Sequence, residues 1–282
     1  MVEVREWSRS DTARFLRVPS PDDDKYSRGV VALRTGSSMY PGAAVLGTEA
    51  AWRAGAGFVR FVGEGRAADA VIARRPETVV AADTGRTRID AWVIGSGTDA
   101  QTRSDDETAA LRQILTGSAR VVVDAGALDL AAGSTAPFLV TPHAGEFARL
   151  RAELQLAPSD DTQRPEAAAE VAATLGGVVL LKGARTLVAD TRGGVIEVSA
   201  GIGWLATAGS GDVLGGVLGA LLAANLDAPL AEAAAAAAWL HGYAGRLAAD
   251  AAGAAEHRGP GHPIVALDIA EALPRAIADL LA

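Results

Sequence analysis

Seven apolar runs of strand length are set into this chain, and longer stretches of helical periodicity separate most of them. The runs are Val30–Leu33, Phe58–Val62, Thr78–Ala81, Ala91–Ile94, Arg120–Val123, Phe138–Val140 and Val178–Leu181, with helical patterns near Gly42–Arg53, Glu107–Leu115, Gly145–Leu150 and Glu166–Leu175. Strands this short and this apolar are buried on both faces, which calls for an α/β fold: a mostly parallel central sheet with helices on both faces. Ligands of such sheets sit beyond the carboxyl ends of the strands, so the loops that follow strands are where chemistry is expected.

The pattern then changes. Thr186–Asp190 and Val195–Ser199, joined by Thr191-Arg-Gly-Gly194, read as a β-hairpin. Long helices follow over Gly211–Ala224 and Leu230–Ala249. A terminal helix is expected from Asp268, where Asp268-Ile-Ala-Glu271 has capping-box spacing. Pro19–Lys25 and Glu256–Pro263 read as surface loops rather than linkers, so residues 1–282 are expected to form a single domain.

Charge and composition narrow the function classes. The formal net charge is −8 and no Lys/Arg block is present, which speaks against nucleic acid and anionic membranes as partners. An anionic small molecule can still be held locally, by backbone N–H groups and a few placed cations. No cysteine is present, so there is neither a disulfide nor a thiolate metal site. The start of the chain lacks a signal-peptide layout, and the longest apolar stretch, Val213–Ala224, is shorter than the roughly 20 residues that span a bilayer. A soluble, cytoplasmic protein is expected.

The densest chemical signal is Ala208-Gly-Ser-Gly-Asp212, running into a helix that is apolar nearly all round. Bare amides at Gly209–Gly211 and the positive end of a buried helix make an anion site. Asp212 then stands in the first turn, either complementing the helix dipole or taking a proton from a hydroxyl that attacks a phosphate. The loop is not a Walker A motif, since no Lys-Ser/Thr follows at the required spacing.

Three further loops are candidates. In Thr141-Pro-His-Ala-Gly-Glu146, His143 precedes a helix start and suits either a cap or a ligand contact, and Glu146 either a cap or a phosphate- or metal-linked carboxylate. Lys182-Gly-Ala-Arg-Thr186 is either a plain turn or a cation with turn amides beside a nucleotide phosphate. Gly95-Ser-Gly-Thr-Asp-Ala100, with Asp124 ending the next strand, is a relaxed dinucleotide-binding fingerprint that would suit a nicotinamide dehydrogenase. Against that, the polar, acidic Gln101–Asp106 keeps a helix from opening on those glycines. His241, His257 and His262 have no metal-ligand spacing, and His241 in an Ala-rich helix reads as structural.

Taken in order, Lys25–Gly29, Gly36–Ala44 with Tyr40-Pro-Gly-Ala, Gly95–Gly97, Asp124-Ala-Gly-Ala-Leu128, Thr141–Glu146, Lys182–Thr186 and Leu205–Leu214 resemble the ADP-dependent NAD(P)H-hydrate dehydratases, a branch of the ribokinase-like superfamily. Gly-x-Gly-Asp is superfamily-wide; Thr-Pro-His-x-Gly-Glu with Lys-Gly-Ala-x-Thr is much narrower. Departures from the family pattern include Ala208 and Thr35 at common glycines, Gly203 at a common Asn, and Ala144 at a common Pro.

The resemblance implies a ribokinase-like three-layer sandwich and a cofactor-repair lyase. Hydrated NADH or NADPH (NAD(P)HX) would be phosphorylated on its ring hydroxyl from ADP and then lose phosphate, which restores NAD(P)H and releases AMP and phosphate. It implies Asp212 as base and substrate contact, and Ala43, Gly97 and His143 as further substrate contacts. Lys182, Gly183, Ala184, Arg185, Thr186 and Gly211 would bind the nucleotide. Mg²⁺ would accompany the phosphates, without a dedicated protein metal site. The resemblance also implies a homo-oligomer such as a tetramer, and the chain leaves no room for the epimerase domain that family members often carry. The same Gly-x-Gly-Asp site would suit a small-molecule kinase for a vitamin precursor or sugar, or a non-catalytic nucleotide sensor. Thr141–Glu146 and Tyr40–Ala44 speak against the kinase, and Asp212 against the sensor.

Overall fold

The computed structural model describes residues 2–250 and 260–282. The strands are β1 (Val4–Glu6), β2 (Val30–Arg34), β3 (Phe58–Val62), β4 (Val79–Ala81), β5 (Ala91–Ile94), β6 (Arg120–Val123), β7 (Phe138–Val140), β8 (Val178–Leu181), β9 (Thr186–Ala189) and β10 (Val195–Val198). They form one sheet in the order β1-β10-β9-β8-β7-β6-β5-β2-β3-β4. Pairing is parallel except where β9 meets β8 and β10, and the β9–β10 pair is the expected hairpin.

The strand order has a mechanical consequence. From β2 the chain builds outward through β3 and β4, then returns to β5 on the other side of β2 and builds outward through β6, β7 and β8. The loops after β2 and β5 therefore leave in opposite directions, and a crevice opens between them at the carboxyl edge.

Helices α1 (Arg9–Ala13), α2 (Pro41–Arg53), α3 (Gly65–Arg74), α7 (Ser210–Ala224), α8 (Leu230–Ala248) and α9 (Ala266–Leu281) cover one face, and α4 (Asp105–Leu115), α5 (Ala144–Glu153) and α6 (Arg164–Leu175) the other. The strands alternate accordingly: Val31, Leu33 and Val93 pack toward α2 and α7, while Ala32, Trp92 and Ile94 pack toward α4–α6. Among the described residues no helix is long and apolar enough to cross a membrane.

Helix α7 is apolar all round because it is enclosed between α2, α8 and the sheet. Its glycines permit this. A Cβ on Gly216 would lie 2.2 Å from the carbonyl oxygen of Gly47 in α2, and one on Gly219 would lie 2.7 Å from Val93 Cγ2. On the same face Glu49 is fully buried and takes ion pairs from Arg53, Arg74 and Arg75. Burial opposes its charge most strongly of any single factor, yet the arginines together hold its pKa down to about 2.

Several boundaries differ from expectation. The last helix starts at Ala266, two residues before Asp268, whose carboxylate reaches back to accept from Val265 N at 2.8 Å. Glu271 serves no cap there and pairs with Arg74 at 3.0 Å. Helix α5 starts at Ala144, one residue before Gly145, because His143 caps it there, and it runs three residues past Leu150 to Glu153. β1 and α1 are too short to carry a periodic signal, and they and α3, whose Ala67, Ala68 and Val71 share one buried face, lie outside the expected elements. Residues 256–259 of the second loop, His257 among them, lie outside the described residues.

Candidate active site

Every strand from β2 to β8 on the β5 side of the crevice delivers a functional loop to the carboxyl edge, and α7 points its N-terminus at the same edge. Gly209, at φ 86°, takes the left-handed turn that lets Ser210 open the helix directly. Asp212 follows in the first turn. Burial, with repulsion from Asp124 behind it, pushes its pKa up to about 6 against the opposing charge of Lys182. A carboxylate so tuned suits proton abstraction near neutral pH.

Lys182 extends β8 by one ladder bond, its N–H donating to Pro142 O at 2.9 Å. Its Nζ donates to Asp124 Oδ1 at 2.9 Å and lies 3.9 Å from Glu146 Oε2. It also comes within 3.6 Å of where a Cβ on Gly211 would be, so it spans from the sheet to the start of α7. Thr186 Oγ1 donates to Gly183 O at 3.3 Å and closes the turn behind it. The Arg164 guanidinium packs on the outside of that turn, 2.6 Å from the Cβ that Gly183 lacks.

His143 is both cap and cleft wall. Its Nδ1 accepts from the N–H groups of Gly145 (3.0 Å) and Glu146 (3.3 Å), and Glu146 Oε2 accepts from His143 N at 2.8 Å. This is a reciprocal capping box with histidine in the leading position. With Nδ1 accepting from the backbone, Nε2 is the ring's donor nitrogen, and it faces Glu146 Oε1 at 3.5 Å.

These residues border a cleft of about 620 Å³. His143, Lys182, Gly183, Ala184, Thr186 and Gly211 line one side, and Val198, Ile202, Leu205, Leu214, Ala238 and His241 form a mostly apolar far wall. The Arg185 side chain does not join them; it is 71% exposed and reaches toward Glu197. The far wall was missed in the sequence. His241 in particular is a cleft residue, and only the spacing of Ala238 and His241 along one face of α8 hinted at it.

Ala43 and Gly97 lie elsewhere, in the crevice between β2 and β5. Gly97, at φ 68°, is packed so closely that a Cβ there would lie 2.4 Å from Ala43 Cβ and 3.1 Å from Gly36 Cα. Asp212 links the two regions. Lys182 and Asp124 act on its carboxylate, and its carbonyl oxygen lies 3.6 Å from the Cβ that Gly47 of α2 lacks.

The dinucleotide-fingerprint reading of Gly95–Ala100 is corrected by this geometry. Ser104 caps α4, so the helix opens well past the glycines and no amide cradle forms on them. Asp124 is committed to Ser96, Thr141 and Lys182 rather than free for a ribose.

The model of the NAD(P)H-hydrate dehydratase family matches residues 31–259. The chain is 44% identical over 222 residues to the bifunctional NAD(P)H-hydrate repair enzyme of Mycobacterium tuberculosis, covering 76% of this chain and 45% of that protein. It thus spans about half the length of the mycobacterial relatives it matches. It is 36% identical over 255 residues to the ADP-dependent (S)-NAD(P)H-hydrate dehydratase of Neisseria meningitidis, covering 85% of this chain and 84% of the other. A crystal structure of the ADP/ATP-dependent NAD(P)H-hydrate dehydratase of Bacillus subtilis, co-crystallised with ATP and Mg²⁺, superposes with a TM-score of 0.82 at 28% identity, covering 98% and 99% of the two chains.

Proposed function

The chain belongs to the NAD(P)H-hydrate dehydratase family, and we propose on that footing that it dehydrates NAD(P)HX at the expense of ADP. Its sheet order and helix placement are those of the ribokinase-like fold. The observation that carries the proposal is Asp212: a carboxylate of raised pKa in the first turn of a fixed helix, with Gly211 and Lys182 beside it.

In this reading ADP lies in the cleft, its base and ribose against the Val198–Leu205 wall and its phosphates at Lys182–Thr186 and Gly211. The hydrate enters from the crevice at Ala43 and Gly97, with His143 Nε2 as a donor. Asp212 takes the proton of the ring hydroxyl as that oxygen bonds to the terminal phosphorus of ADP and AMP leaves. Loss of the phosphate ester with a ring proton then restores the double bond of NAD(P)H. Amides at the α7 start hold the phosphate charge throughout.

Mg²⁺ fits as a companion of the nucleotide's phosphates. Among the described residues no three of His, Asp or Glu converge into a cage, and Asp124 is already engaged by three donors. When bound it would neutralise phosphate charge.

The test is turnover of purified protein with hydrated NADPH and ADP, following AMP release and the return of reduced-nicotinamide absorbance. Recovery of both together supports the proposal. Phosphorylation of a vitamin precursor or sugar instead, with the hydrate untouched, would assign the site to a kinase.

A further inference from the structure

One carboxylate at the site has no part in the reaction as proposed. Asp124 stands at the end of β6 and is 5% exposed. It accepts from Ser96 Oγ beyond β5 (3.0 Å), Thr141 Oγ1 beyond β7 (2.7 Å) and Lys182 Nζ beyond β8 (2.9 Å). A carboxylate has about four acceptor sites, so little remains for a substrate. Ser96 and Thr141 are themselves buried, so their hydroxyls fix the rotamer of Asp124 rather than exchange with water. Tying strand ends together needs only a neutral acceptor, and a buried charge is costly unless paired. The partner that accounts for the charge is Lys182.

We propose that Asp124 is a positioning residue: locked by Ser96 and Thr141, it holds the Lys182 ammonium beside Gly211 for the nucleotide's phosphates and keeps it from pairing with Asp212. The proposal rests on Asp212 being the base.

The charges around Lys182 explain why positioning is needed. Asp124, Glu146 and Asp212 compete for one ammonium, and Glu146 is partly occupied by the α5 cap. Were Lys182 to swing to Asp212, the phosphates would lose their cation and the base would be weakened by a salt bridge. Asp124 prevents both, and its own charge also repels that of Asp212. Two histidines border the same cleft: His143, whose Nε2 faces Glu146 Oε1 at 3.5 Å, and His241 on α8, which burial keeps neutral.

Asp124→Asn separates the possibilities, because Asn retains the shape and still accepts from Ser96 or Thr141. If Asp124 supplied only charge, neutralising it would tighten ADP binding. Positioning predicts the reverse: Kd for ADP, read by calorimetry, rises about tenfold, the scale of one charged hydrogen bond. The acid limb of the kcat profile should also move to lower pH, both because the repulsion on Asp212 is lost and because Lys182 reaches it. In a Lys182→Met background the same Asp124→Asn change should alter ADP affinity by less than about twofold, since nothing is left to position. Equal losses in both backgrounds, tighter ADP binding, or a lower Tm with affinity and pH profile unmoved would overturn the proposal. Thr141→Val, which removes one lock, carries the same comparison if Asp124→Asn fails to fold. Calorimetry needs no turnover, so a protein that binds ADP but leaves the hydrate untouched would refute the functional reading while this one is still decided.

Discussion

Ser210 Oγ and His241 Nε2 meet at 3.3 Å, tying the first residue of α7 to the middle of α8 at the inner end of the cleft. Both residues are buried, and burial drives the His241 pKa down to about 4, so the imidazole is neutral near pH 7. A neutral ring on the cleft proposed for ADP is a hydrogen-bonding wall, not a charge. His241→Ala should therefore weaken ADP binding about tenfold, as expected for one lost hydrogen bond with its contacts. The acid limb of kcat should stay in place. Calorimetry on the folded variant checks this, and unchanged ADP affinity would return His241 to a purely packing role.

Asp212→Asn should separate chemistry from binding and from stability. Loss of a positioned base lowers kcat by about 10²–10⁴, while the α7 amides keep ADP affinity close to wild type. The stability effect has a definite sign. The folded pKa, about 6, lies above the unfolded value of about 3.9, so stability is lost as pH rises between them, up to about 3 kcal/mol. The variant should thus melt higher than wild type above pH 6, with the gain vanishing toward pH 4. In the wild type the same titration gives kcat an acid limb near pH 6. Identical pH dependence of Tm in both proteins would show that Asp212 is not buried as a charge.

His143 can be divided into its two roles. His143→Ala removes the α5 cap, at about 1 kcal/mol, as well as the ring. His143→Asn restores an N-cap acceptor without Nε2. If the ring contacts the hydrate, both variants should raise KM for NAD(P)HX with ADP affinity unchanged, and only the Ala variant should lower Tm. Recovery of wild-type KM in the Asn variant would leave His143 as a cap alone.

Glu49 tests the buried charge on the opposite side of α2. Glu49→Gln strands three arginines and should cost about 3 kcal/mol or more at pH 7. The folded pKa of about 2 is below the unfolded value, so this stability is present above about pH 4.3 and fades as pH falls toward 2. Denaturant melts of the two proteins should converge in acid. Because Glu49 borders neither cleft nor crevice, kcat should hold.

The sequence made legible those parts of the site that are continuous in the chain. The α7 start, the Lys182–Thr186 turn and the His143 cap are each a few adjacent residues whose backbone demands show as Gly, Pro and a helix onset. The sheet was legible because each buried strand is an uninterrupted apolar run. The far wall at Val198–Leu205 and His241 was not, since its members share a cleft only after the hairpin and α8 are folded together. The same holds for Asp124: its partners Ser96, Thr141 and Lys182 are 28, 17 and 58 positions away. β1 forms through its pairing with β10 rather than through local patterning, α1 has a local capping box of Ser8 and Asp11 but only five residues, and α3 opens on Gly65 with no capping side chain.

The glycines that let α7 lie against the backbone of α2 also determine how the site can move. A helix enclosed on every side, with peptide groups rather than side chains at its closest approach, opens only when the whole core does. Its amides should be among the last in the protein to exchange with solvent, at the free energy of global unfolding. Asp212 and the amides at the α7 start therefore sit on a stationary element.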